Sequence, residues 1–158
     1  MKNQAHISWD QYFMGVAKLS ALRSKDPSTQ VGACIINRDL RIVGIGYNGL
    51  PKGADDDVFP WNNEGDFLET KYPYVVHAEA NAILNATQSL KDSKIYVTLF
   101  PCNECTKLII QSGITEIIYE SDKYQHTKEH QAAIKMLKAA KVSYRKIEVG
   151  ELTYVNLS

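Results

Sequence analysis

The chain has 158 residues, 44% of them hydrophobic and 23% charged, with 9 glycines and 5 prolines. That composition fits a single globular domain over residues 1–158, with a core from about 9 to 147, and excludes disordered, collagen-like and mucin-like chains. Lys plus Arg and Asp plus Glu are each 18, so no basic excess points to a nucleic-acid partner, and no apolar run reaches the roughly 18 residues of a membrane span.

Met1 to Asp10 is polar and lacks a signal-peptide core, which makes a cytoplasmic setting the expectation. Trp9, Phe13, Val16, Ala17 and Ser20 recur at helical spacing behind Ser8, a capping residue, and predict a helix from about Ser8 to Ser24, closed before Asp26-Pro27. Val31–Asn37 and Arg41–Tyr47 are β-rich runs separated by a short turn and read as a hairpin. From Asn48 to Tyr74 the pattern dissolves into a long loop with Gly49, Pro51, Gly53 and three consecutive aspartates. Loops of that length inside a compact domain tend to serve function.

Regular structure resumes with a helix from about His77 to Ser89, a buried strand at Lys94–Phe100 and a helix at Asn103–Ser112 that stops at Gly113. A short strand at Glu116–Glu120, a last helix marked by Ala133, Met136, Leu137 and Ala140, and a final strand at Val142–Val149 complete the order. An opening hairpin followed by alternating helices and strands predicts an α/β fold, a three-layer α/β/α sandwich around a mixed five-stranded sheet.

Three cysteines form an odd set that favours metal or catalytic use over a disulfide framework. Cys102 and Cys105 stand in Pro101-Cys102-Asn103-Glu104-Cys105 at a predicted helix start, where they share one face. His77-Ala78-Glu79 opens another helix. By chance HxE is expected about 0.2 times in such a chain and PCxxC about 0.002 times, so the second string carries the weight. One imidazole and two thiolates are three ligands, leaving the fourth position of a zinc ion for water. Zinc lowers the pKa of such a water toward about 7, and Glu79 is placed to shuttle its proton. H-x-E followed by P-C-x-x-C is the signature of zinc nucleobase deaminases.

With those motifs in view, the chain resembles the cytidine/deoxycytidylate deaminase family, and most closely its dCMP deaminases, which make dUMP for thymidylate synthesis. The likeness runs from about Trp9 to Lys146 and includes RSKDPSTQVGACI, GIGYNGLPKGADDD, TKYPYVVHAEANAI, YVTLFPCNECTKLIIQSGI and SDKY. It implies a cytidine-deaminase-like fold with His77, Cys102 and Cys105 as ligands of one catalytic Zn2+ and Glu79 as proton shuttle. It further implies Asn48 on the deoxyribose, the Ala78 backbone at the cytosine, Tyr124 in the nucleotide pocket, and Arg23 and Lys25 as phosphate contacts. Family members are often hexamers, activated by dCTP with Mg2+ and inhibited by dTTP. Asn48, Gly49, Asp55, Asp56 and Asp57 correspond to the region tied to that control.

Rival readings keep different parts of this. A deaminase of free nucleosides or of a polynucleotide base retains the chemistry, although the lack of a basic patch argues against a polynucleotide. A nucleotide sensor retains the pocket without turnover, and Cys34 as a fourth ligand would close the metal site into a structural one. His126-Thr127-Lys128-Glu129-His130 matches the inverted zinc-protease string, yet reads more simply as the polar first turn of the last helix.

Overall fold

The computed structural model describes residues 1–153; residues 154–158, the end of the expected tail, lie outside them. Its strands are β1 (Gly32–Ile36), β2 (Ile42–Tyr47), β3 (Lys94–Leu99), β4 (Glu116–Ser121) and β5 (Ser143–Lys146). Its helices are α1 (Trp9–Ala21), α2 (Ala78–Leu84), α3 (Asn103–Gln111) and α4 (Lys128–Ala140). The strands form one five-stranded sheet in the order β2-β1-β3-β4-β5. β1 is antiparallel to both β2 and β3, while β3, β4 and β5 run parallel, with α3 and α4 as their crossovers.

Side-chain alternation sorts the layers. Ala33, Ile35, Ile95, Val97 and Ile117 pack on one face with Ala82 of α2, Ile109 of α3 and Leu137 of α4. Cys34, Ile36, Tyr96 and Ile118, the residues between them, pack on the other face with Phe13, Met14 and Ala17 of α1. Both faces are covered, which is why β1 is buried along its whole length instead of alternating in polarity. The expected three-layer sandwich is the observed one.

Element ends differ from expectation in three places. α1 begins as predicted, with a capping box between Ser8 and Gln11, but ends at Ala21. Beyond it, Ser24 turns inward and its Oγ donates to the Asn48 carbonyl at 2.8 Å. α2 stops at Leu84, not Ser89, and Asn85 at its C-cap donates Nδ2 to the Ile45 carbonyl of β2 at 2.8 Å. β5 spans only Ser143–Lys146; the segment after it is held by isolated bonds, Ile147 N–H donating to the Tyr119 carbonyl at 2.9 Å and Val149 N–H to Glu120 Oε2 at 3.3 Å.

Glycines let helix backbone rest on both faces of the sheet; on the α1 face a Cβ at Gly32 would lie 1.8 Å from the Ala17 carbonyl oxygen. A Cβ at Gly46 would lie 2.3 Å from the Ala78 carbonyl oxygen, and one at Gly44 would lie 2.4 Å from that of Ala82. The backbone of α2 therefore rests on β2 with no side chain between them. Gly46→Ala is expected to push α2 outward at a cost of about 1–3 kcal/mol, lowering the thermal unfolding midpoint by several degrees.

On the far face, Asp10 in the first turn of α1 ties the helix to the sheet. It accepts from both guanidinium nitrogens of Arg145, at 2.8 and 2.9 Å, and from Tyr96 Oη at 2.7 Å. Arg145 holds the Asp10 carboxyl below its ordinary value. A depressed carboxylate contributes stability that is present above its unfolded value, about 3.9, and lost as the pH falls through the folded one. Asp10→Asn is expected to flatten the acid side of the stability profile below about pH 4, measured by urea unfolding across a pH series.

Candidate metal centre and its cavity

Because β2 and β3 point the same way, Asn48 after β2 and Phe100 to Cys102 after β3 emerge at one edge of the sheet. α2 enters at that edge as well. Open α/β sheets bind ligands at the carboxyl ends of their strands, and a cavity of about 430 Å³ opens there. His77 is the N-cap of α2 and Cys102 the N-cap of α3, where the Cys105 N–H reaches Cys102 Sγ at 3.5 Å.

Two helix starts thus bring three soft donors together. His77 Nδ1 lies 3.5 Å from Cys102 Sγ and 3.4 Å from Cys105 Sγ, and all three donor atoms fall within 4.8 Å of one another. A tetrahedral zinc with Zn–S of about 2.3 Å and Zn–N of about 2.0 Å sets its donors roughly 3.5 Å apart, so the spacing fits. Cys105 is buried, Cys102 half-buried and His77 open, so the group is closed behind and accessible in front.

The protons of this group are strongly redistributed. Cys102 is drawn down to about 4, chiefly by a hydrogen bond from the Cys105 thiol, with His77 adding to the effect. Cys105 is pushed far up as the donor in that pair, and His77 is raised by Cys102. Glu79 is 4% exposed and lines the cavity, and burial pushes its carboxyl up to about 7.

Cys34 takes no part. It is fully buried in the α1 layer, where burial pushes its thiol up to about 12, and it is absent from the donor group. A closed four-ligand site with Cys34 is therefore not formed. His126 precedes Thr127, the N-cap of α4, whereas His130 lies inside the helix with its ring 4.4 Å from that of Phe100. The protease-like string is split by the cap and gives no shared ligand face.

The expected substrate residues divide. Asn48, Ala78 and Tyr124 line the cavity, and the Tyr124 ring lies 5.2 Å from Lys123 Nζ. Arg23 and Lys25 are not among its lining residues. Lys25 is engaged with Asp56, and the Arg23 guanidinium lies 5.8 Å from the Tyr47 ring centroid. The Asp55 to Asp57 run forms a turn in which Asp55 Oδ1 accepts from the Asp57 N–H at 2.8 Å. Gly49, Asp55, Asp56 and Asp57 all stand outside the cavity lining.

Sequence reasoning missed Asp26, Lys71 and His130, which do line the cavity. Asp26-Pro27 reads only as a helix stop, and Lys71 sits in an aperiodic loop, so neither stands out in the sequence.

The model of the cytidine and deoxycytidylate deaminase zinc-binding region matches residues 7–121. The chain belongs to the cytidine and deoxycytidylate deaminase family. Its relatives in that family include the deoxycytidylate deaminase of Mus musculus, 56% identical over 92% of this chain and 83% of that protein. The deoxycytidylate deaminase of Homo sapiens is 55% identical with the same coverage. Among solved structures, the dCMP deaminase of cyanophage S-TIM5 in complex with dCMP and dUMP has a TM-score of 0.72 at 26% identity, covering 90% of this chain and 100% of that one.

No helix among the described residues is long and apolar enough to cross a membrane. The metal-donor geometry makes a direct prediction. Cys102→Ser should lower zinc content per chain well below that of the unaltered protein, and Cys34→Ala should leave it unchanged, both measured by elemental analysis after gel filtration.

Proposed function

We propose that this deaminase hydrolyses dCMP to dUMP and ammonia, supplying dUMP for thymidylate synthesis, as a single domain acting in the cytoplasm. The observation that carries the proposal is the donor group His77, Cys102 and Cys105 set against a cavity that His77, Cys102 and the buried Glu79 line. The similarity to deoxycytidylate deaminases supports dCMP as the substrate.

His77 Nδ1 and the two thiolates would hold one Zn2+ per chain, and zinc held there supplies the Lewis acidity that makes a water nucleophilic at neutral pH. Glu79, on the first turn of α2, accepts a proton from the attacking water at a carboxylate oxygen and passes it to the pyrimidine N3 as the oxygen adds at C4. The same carboxylate then takes the remaining proton of that C4 hydroxyl and delivers it to the leaving 4-amino group, so C4 keeps the oxygen as a carbonyl and ammonia departs neutral. Ala78, fully buried beside Glu79, brings its backbone to the base. Asn48 takes the sugar and Tyr124 the outer end of the nucleotide. Arg23 and Lys25 are the phosphate contacts implied by the family likeness, and Lys123, which reaches Thr29 Oγ1 of the rim at 3.1 Å, adds positive charge there; all three stand outside the cavity lining.

The proposal extends to control by deoxynucleoside triphosphates in a homo-oligomer, a hexamer by family resemblance, with dCTP·Mg2+ activating and dTTP inhibiting. The loop from Gly49 through Asp55, Asp56 and Asp57 is suited to that role by its connections. Gly49 and Val76 exchange backbone hydrogen bonds of 3.0 and 2.8 Å, linking the loop to the residue before His77. The same loop begins at Asn48, so a shift within it reaches a metal donor and a sugar contact together.

Glu79→Gln is expected to lower ammonia release from dCMP by about 10²- to 10⁴-fold while zinc content stays near one per chain. Turnover within tenfold of the unaltered protein would remove Glu79 from the mechanism.

A further inference from the structure

Outside the metal-donor group, three buried polar side chains meet at the cavity wall. Asp26 and Asn48 are each 6% exposed and Lys71 is 9% exposed, and all three line the cavity. Lys71 Nζ donates to both carboxylate oxygens of Asp26, at 2.9 Å to Oδ1 and 2.7 Å to Oδ2. Asp26 Oδ1 also accepts the main-chain N–H groups of Ser28 at 2.8 Å and Thr29 at 3.2 Å. Asp26 Oδ2 accepts from Asn48 Nδ2 at 3.3 Å.

The rest of the Asn48 carboxamide is equally engaged. Its second N–H donates to the Thr29 carbonyl at 3.0 Å, and its Oδ1 accepts the Val31 N–H at 2.8 Å. Turned end for end, the group would set its oxygen against a carboxylate and a carbonyl, and its nitrogen against the Val31 N–H. Only one orientation places every donor opposite an acceptor. In that orientation both N–H groups are used, and one lone pair on Oδ1 remains. Toward a ligand, Asn48 is an acceptor alone.

We infer that Asp26 and Lys71 are positioning residues that fix Asn48 as a hydrogen-bond acceptor, so that the cavity reads the 3′-hydroxyl of its nucleotide as a donor. This rests on dCMP being the substrate. Lys71 Nζ lies against both oxygens of the buried Asp26 carboxylate, and a carboxylate has acceptor sites enough for the Ser28 and Thr29 turn, Lys71 and Asn48 at once. A buried ion pair contributes little net stability over an apolar substitute, so its place on the cavity wall is better explained by what it orients. With Asn48 the pair joins three chain segments, the turn after α1, the end of β2 and the approach to α2.

The test uses the full-length protein with dCMP and with its 3′-deoxy, 3′-fluoro and 3′-amino analogues, all as 5′-monophosphates. The 3′-deoxy and 3′-fluoro compounds, which offer no donor, are expected to lose at least about tenfold in kcat/KM, while the 3′-amino compound stays within about threefold of dCMP. In Asp26→Asn the new amide must either release the Ser28–Thr29 turn or set an N–H against Asn48 Nδ2. The preference for dCMP over the 3′-deoxy compound is then expected to shrink below about threefold, mostly through KM, with activity on the 3′-deoxy compound little changed. Lys71→Met, which leaves Asp26 and Asn48 in place, is expected to lose the same preference, and Lys71→Arg to keep it.

A merely structural role would lower both substrates together and leave the ratio alone. An unchanged ratio in Asp26→Asn or Lys71→Met overturns the inference, as does equal use of the 3′-fluoro and 3′-amino compounds by the unaltered protein, a comparison that needs no variant to fold. Failure of the unaltered protein to deaminate dCMP at all would overturn the substrate reading instead.

Discussion

With no side chains at Gly44 and Gly46, the carbonyls of Ala78 and Ala82 sit directly on β2, and α2 is held closer to the sheet than any side-chain-filled contact allows. That separation fixes where the first turn of α2 falls, and the first turn carries His77 and Glu79. The other two donors come from α3, whose start is set by the end of β3. The donor spacing of 3.4 to 3.5 Å is thus the product of two independent packing contacts, one made by glycines and one by a strand end. A shift of half an ångström in either would spoil a tetrahedral set, since coordination distances tolerate only a few tenths.

The same closeness explains the electrostatics. Glu79 is buried because the sheet lies against its helix, and burial raises its carboxyl to about 7. The cavity wall also holds Asp26 and Lys71, an ion pair neutral overall, and Lys123 brings positive charge within reach of the rim. The chain's zero net charge therefore conceals an ordered local pattern, with a paired charge in the wall and a cation near the mouth.

The layers and the metal donors were legible in the sequence because each rests on a local signal. Alternating and continuous apolar runs marked the strands, helical spacing marked the helices, and PCNEC with HAE marked the donors. Helix ends were less legible. α2 ends five residues early because Asn85 bonds to β2, a partner distant in sequence, and no propensity encodes that. Lys25 illustrates the same limit: it meets Asp56 across a loop whose path only tertiary structure sets.

The long stretch after β2 shows why Lys71 escaped notice. It holds a single short helical turn at Phe67–Glu69 and little else that periodicity could reveal. Its order comes instead from isolated bonds, such as Lys71 N–H to the Asn62 carbonyl at 2.9 Å and the Gly49–Val76 bridge. Those bonds return the chain to the place it left, so that Lys71 meets Asp26 beside Asn48. A loop that departs from the cavity-lining Asn48 and comes back to set Lys71 beside it has a reason for its length. That length brings a charge from more than twenty residues away into a buried position, which a tight turn from β2 into α2 could not do.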